Sequence, residues 1–284
     1  MTVAAPPINL FARARKSAWL RPQMVFAYVV LGAWILIVLA APLIAPFDPL
    51  ASTGVRLTAP SASHWLGTDS LGRDVFSRTL YGARESLPVA LAAILAAVLV
   101  GCSLGAIAGF FGGWVDAVIM RLADITMAFP AILLAMAVAA ALGPGLQNAL
   151  IAIVAVWWPI YARLTRGQVL SIKQKEHVEA DAAIGSGRWR TLGKHILPHS
   201  ATPIMVNATM DLGQIILLVA SLSFLGLGAL PPSPEWGAMI TDGAKNFYQP
   251  WVAAAPGIAM VSVTLAVNFL GDGLRDAFDV KGRR

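Results

Sequence analysis

The sequence predicts an all-α integral membrane protein with six transmembrane helices, and three observations carry that prediction. Of 284 residues, 57% are hydrophobic and only 13% are charged, whereas a soluble domain carries about 25% charged residues. Mean hydropathy is +0.70, so a water-soluble fold of this length lacks the polar side chains to cover its apolar ones. The charges that do occur are separated by uncharged runs, each long enough for the roughly 20 helical residues that cross a bilayer.

Residues 1–23 form a basic tail with Arg13, Arg15, Lys16 and Arg21. A secretory signal peptide begins the same way. Met24–Ala45, however, is uncharged over 22 residues, and a cleaved hydrophobic region is usually about 7–15 residues long. The expected first span is therefore an uncleaved anchor at 24–46, closed by Pro46. A polar extracytoplasmic segment, 47–85, follows, and then a five-helix core at 86–275. Within the core, Ser86–Val115 is uncharged and supplies a span at 86–111. Ile125–Ala162 is uncharged but too long for one crossing; Gly143-Pro144-Gly145 divides it into spans at 118–142 and 147–168. The last two spans are expected at 201–228 and 251–272, separated by Pro231-Pro232-Ser233-Pro234, and a basic tail occupies 276–284.

Six spans put both termini on one side. On that side fall 16 of the 21 Lys and Arg residues, against five on the other. The excess of Lys and Arg in cytoplasmic loops then places both termini in the cytoplasm. The net charge of +6 is accounted for by this topology, which argues against nucleic acid as a partner. Cys102 stands alone in an apolar run, where it forms no internal disulfide and is read as a small packing residue.

Absent motifs narrow the class. The chain has no G-x-x-x-x-G-K-[ST] phosphate loop and no G-x-S-x-G nucleophile elbow. His195 and His199 have the spacing of zinc ligands on a helix, but Pro198 intervenes and no Glu completes an H-E-x-x-H. The expectation is a non-catalytic chain with no cofactor or metal of its own. Intramembrane charge is scarce: Arg121 and Asp124 are placed to pair across one turn, and Asp211 is isolated within the fifth span. Asp211 is either a hydrogen-bonded group facing a water-filled cavity or a direct substrate contact.

Two helix motifs have physical content. Gly101, Gly105 and Gly109 give the second span a flat face that admits another backbone. Pro159 removes a backbone donor from the fourth span and is expected to kink it. Trp157 and Trp158 beside it either line a translocation path or pack the bundle. Between spans four and five, the segment 171–198 contains EHVEADAAIGSGRWRTLGKHILP. Glu176 to Ile184 is expected to form a short helix ended by Gly185, and Arg188 to His195 a second. Small residues such as Ala180, Ala182 and Ala183 suit insertion into a partner's groove; the alternative is a connector lying on lipid.

At this segment the sequence resembles the permease subunits of binding-protein-dependent ABC importers, whose signature is E-A-A, three residues, G, nine residues, I-x-L-P. Glu179, Ala180, Gly185, Leu197 and Pro198 match; Asp181 and His195 depart, the H-I-L-P ending being similar to the peptide-importing branch. His64 to Asp69 with Leu71 to Asp74, Trp158-Pro159 with Tyr161 to Arg163, Leu222 to Gly228 and Asn268 to Arg275 are similar to segments of dipeptide, oligopeptide and nickel permeases, in the order of their C-type subunit. Val219 departs, standing where an acidic residue is expected.

The resemblance implies a multi-pass bacterial inner-membrane permease that imports di- and oligopeptides, or nickel chelates or glutathione-like peptides. It implies a related second permease, two cytoplasmic ATPases that bind ATP and Mg, and an extracytoplasmic binding protein. Glu179, Ala180, Asp181, Gly185, Arg188, Leu197 and Pro198 would couple to the ATPases; Trp157, Trp158, Asp211, Ser221 and Ser223 are candidates to line the pathway. Two competing classes stay in view. A secondary transporter would show internal repeats and more buried ionisable groups, and a membrane enzyme would need a catalytic cluster, for which only His177, Glu179, Asp181 and His195 offer themselves.

Overall fold

The structure is a computed structural model, and it describes residues 21–176, 187, 190, 192–193 and 197–278. Among these residues there are eight α-helices in chain order: α1 Pro22–Ile44, α2 Val75–Phe111, α3 Gly113–Met127, α4 Ala131–Leu142, α5 Leu146–Lys173, α6 Leu197–Phe224, α7 Trp236–Lys245 and α8 Trp251–Phe278. Extended pairing is limited to two isolated bridges, Ser52 with Arg73 and Thr68 with Asp74. Five helices (α1, α2, α5, α6 and α8) are each long and apolar enough to cross a membrane, and α3 with α4 makes a sixth if the pair is counted as one span.

That pair corrects an expectation. A single helix over 118–142 does not form; α3 and α4 meet at 95°. The break falls at Phe129-Pro130. Proline has no N–H to continue the ladder, and it disfavours helical backbone at the residue before it. Pro130 is extended (ψ 127°) and starts α4 as its N-terminal cap. Counting uncharged length could not see this, because the break carries no charge.

Helix limits differ elsewhere for physical reasons. α2 begins at Val75, not 86, because Asp74 caps it by accepting from Ser77 N at 2.8 Å. Its first turns therefore carry Arg78, Arg84 and Glu85 out of the apolar run. α5 continues unbroken through Pro159 to Lys173, so the helix absorbs the missing bond without ending. The amphipathic helix α7 occupies the segment between the last two spans, directly after the proline cluster.

The core seam lies between α2 and α5. A β-carbon on Gly101 would meet the backbone of Trp158 and one on Gly105 the backbone of Ala162; at Gly109 it would come within 3.0 Å of Arg166 O. Only glycine lets the two backbones approach so closely. Trp236 of α7 is fully buried and packs edge-on against Trp34 of α1, ring centres 5.1 Å apart. Arg21 pairs with Asp276, which sets the start of α1 beside the end of α8. The bundle thus has a loop end, where residues 47–74 and 225–250 meet, and a basic end, where the described chain begins and finishes.

Candidate functional site

The loop end is closed by a buried charge network. Asp69 accepts from Arg73 Nε at 2.6 Å and lies 3.3 Å from Arg78 Nε, all three groups almost fully buried. Arg78 also donates to the carbonyls of Pro49 (2.9 Å) and Ser233 (3.1 Å), tying both loops to α2. Asp74 holds His64 Nδ1 at 2.9 Å. Trp251 Nε1 donates to Thr68 O at 3.3 Å, and Ser70 N to Asp242 at 3.3 Å. Most of the polar residues in 64–78 are thus structural. Beside them opens a cavity of about 350 Å³, lined by Asp69, Arg73, Arg78, Ser233, Asp242 and Lys245 among others.

Glu235 caps α7 and is fully buried. Its carboxyl accepts from Ser86 Oγ at 3.1 Å and from Ala238 N at 2.9 Å, and Ser223 and the Gly237 N–H also bond to it. Burial pushes its pKa above the ordinary carboxylate value, against the pull of those bonds. Ser223, a candidate for the pathway, is buried in this knot, where Ala229 N donates to its hydroxyl at 3.2 Å. Sequence reading missed Glu235. Its signal was an acid directly before a tryptophan and a glycine, after prolines, which is how a capped short helix begins.

Asp211 lies near the middle of α6. Tyr161 OH donates to its Oδ2 at 2.6 Å and Trp157 Nε1 donates to the same oxygen at 3.4 Å. Trp157 and Tyr161 are buried and stand one turn apart on α5, so both reach one carboxylate oxygen. The structure therefore brings Asp211 and Trp157 together. Trp158 is half-buried, and its indole makes no hydrogen bond among the described residues. Ser221 is half-buried on α6 and donates to Leu217 O at 2.7 Å. Tyr161 is the member that sequence reasoning overlooked; its place four residues after Trp157 was the available signal.

At the basic end, Arg166 grips Asp116 through two bonds of 2.5 and 2.6 Å, and Arg163 pairs with Asp124. The anticipated Arg121–Asp124 pair is replaced by this α5–α3 contact. α3 lies against α5, so its acids face the arginines there rather than its own. Lys173 Nζ donates to Phe110 O at 2.9 Å. Glu179, Ala180, Asp181, Gly185 and Arg188 lie outside the described residues, while Leu197 and Pro198 open α6.

A bundle of apolar helices, sealed at one end by buried charge and holding an acid clamped by two aromatic side chains midway along a span, has the make-up of a polytopic membrane protein. Residues 101–284 match the family described as binding-protein-dependent transport system inner membrane component. The dipeptide transport system permease protein DppC of Alkalihalophilus pseudofirmus is 48% identical over 284 residues, covering 99% of this chain and 91% of that one. The probable D,D-dipeptide transport system permease protein DdpC of Escherichia coli K12 is 43% identical, covering 92% of this chain and 88% of that one. The glutathione transport system permease protein GsiD of Pectobacterium atrosepticum is 48% identical, covering 78% and 74%. The chain belongs to the binding-protein-dependent transport inner membrane component family.

Proposed function

We propose that this chain forms half of the translocation pathway of an ATP-driven importer of short peptides in a bacterial inner membrane. The observation that carries the reading is family membership over nearly the whole chain, with relatives at 43–48% identity named for dipeptide, D,D-dipeptide and glutathione transport. All three are short peptides. Glutathione-like peptides are the second substrate reading, favoured by the last of these names.

In this reading the basic end faces the cytoplasm and the loop end faces the delivering binding protein. A homologous second permease completes the pathway. The chain carries no phosphate-binding loop, so two separate ATPases bind ATP and Mg and supply the work. Each grips one permease, here through the segment from Glu179 to Pro198. Closure of the ATPases rocks the spans between inward-open and outward-open states. Moving such an equilibrium from 1:99 to 99:1 takes about 5.5 kcal/mol of differential binding.

The test is uptake of labelled di- and tripeptides by proteoliposomes holding both permeases and both ATPases, with the binding protein outside. ATP-dependent accumulation is expected; uptake unaffected by removing the ATPases would overturn the reading. Glu179→Lys and Gly185→Arg are expected to release the ATPases on co-purification and to abolish uptake. Normal uptake by both would rule out coupling through this segment.

A further inference from the structure

α6 carries a polar stripe that the described residues leave exposed or only half-covered. Asn207, Asp211, Gln214 and Ser221 are spaced four, three and seven residues apart, which puts them on one helix face. Asn207 and Gln214 are exposed, and Asp211 and Ser221 are half-buried. A polar face on a membrane-crossing helix does not turn to lipid; it turns to water, to a partner or to cargo.

Asp211 is the charged member. Both of its hydrogen bonds go to Oδ2, from Tyr161 and Trp157. Its Oδ1 accepts nothing among the described residues, and no described Lys, Arg or His forms an ion pair with it. The two aromatic donors fix the carboxylate's direction without neutralising it. Trp157 and Tyr161 are buried and Asp211 is half-buried, and Oδ1 is the oxygen left without a donor among the described residues. A fixed, unpaired carboxylate on the polar face of a span is built for a cation that arrives from outside the chain.

We propose that Asp211 binds the free α-ammonium group of the translocating peptide, with Asn207 and Gln214 offering amide contacts along the same face. The proposal rests on the peptide-importer reading and deepens it. A peptide with a free amino terminus carries one ammonium at neutral pH, and an ammonium is the charge this site lacks. Tyr161 and Trp157 act as positioning residues.

The test uses reconstituted importer with wild-type, Asp211→Asn or Asp211→Glu permease. The probes are labelled trialanine and N-acetyl-trialanine, each supplied at a concentration that loads the binding protein equally. Asn keeps the side-chain shape and can still accept from Tyr161, so fold and clamp are preserved; co-purification of the partner permease checks this. The wild type is expected to take up trialanine about tenfold faster than the acetylated form at limiting substrate. Asp211→Asn is expected to lose that preference, and Asp211→Glu to regain at least part of it. A preference that survives in Asp211→Asn, or is missing from the wild type, overturns the proposal. So does loss of the partner permease from Asp211→Asn, which would make Asp211 the counter-ion of a partner cation. If the wild type takes up neither peptide, the importer reading itself fails.

Discussion

Gly105→Ala tests the seam on which the bundle is built. A β-carbon there would overlap Ala162 O and sit 2.9 Å from the Ala162 Cα and carbonyl carbon. All three atoms are backbone, so no side chain can swing away. Reaching an ordinary contact of about 3.4 Å requires α2 and α5 to separate over the length of the seam. Over-packing of this kind costs about 1–3 kcal/mol. Replacing glycine by alanine in a helix recovers about 0.5–1 kcal/mol, so the net cost lies between about 0 and 2.5 kcal/mol, and the all-backbone overlap puts it toward the upper end.

The other glycines provide internal controls. At Gly109 no atom comes closer than 3.0 Å, so a shift of a few tenths of an ångström relieves the contact; Gly109→Ala is expected to cost less than Gly105→Ala. Gly32 on α1 has nothing within 4 Å, so Gly32→Ala is expected to be neutral or slightly stabilising. The assay is the fraction of detergent-purified chain that stays monodisperse after heating, taken as an apparent melting curve. The expected order of stability is Gly32→Ala, then Gly109→Ala, then Gly105→Ala. If Gly105→Ala melts with Gly32→Ala, the close approach of α2 and α5 is refuted.

Arg78→Leu removes the donors to Pro49 and Ser233 and one partner of Asp69; breaking such a buried pair costs about 3–5 kcal/mol. Limited proteolysis should show new cleavage within 47–74, and an unchanged digest would count against the network. Glu235 gives a pH signature. Burial raises its folded pKa above the ordinary 4.5, so the folded state holds a proton that the unfolded state releases, and stability falls as pH rises from about 4.5 through the raised value. Glu235→Gln keeps a neutral side chain of the same shape and should flatten that slope, gaining on the wild type as pH increases; parallel melting-versus-pH curves would refute the raised pKa.

Much of the fold was legible because the length of uncharged runs is a property of sequence alone and the bilayer fixes how long such a run must be to cross. The glycine spacing at 101, 105 and 109 likewise translates directly into a flat face, whose partner α5 the structure supplies. What escaped is what depends on neighbours. Phe129-Pro130 breaks a span without any change in polarity, so a reading based on charge passed over it. Asp124 looked committed to Arg121 by local spacing, but the packing of α3 on α5 presents it to Arg163 instead. Tyr161 and Glu235 matter through contacts 50 and 149 residues away in sequence. Ser223 stands in a stretch similar to the family's, and its contacts to Glu235 and to the turn at Ala229 depend on chain that is distant or folded back on it.

The two ends of the bundle are held by different physics, and this bears on where force can enter. At the loop end Asp69, Arg73 and Arg78 have side chains at most 9% exposed, so their attraction is weakly screened and a lost partner is costly. At the basic end the Arg163–Asp124 and Arg21–Asp276 side chains are 44–53% exposed, where an ion pair contributes about 0–1 kcal/mol. Arg166–Asp116 is intermediate, its two hydrogen bonds offset by partial exposure. The loop end is therefore the stiffer clamp and the basic end the easier one to rearrange. In the proposed importer the ATPases act at the basic end. A push there meets ion pairs that exchange at little cost, while the network around Asp69 keeps α2 fixed to the two loops of the loop end and turns the motion into rotation of whole helices.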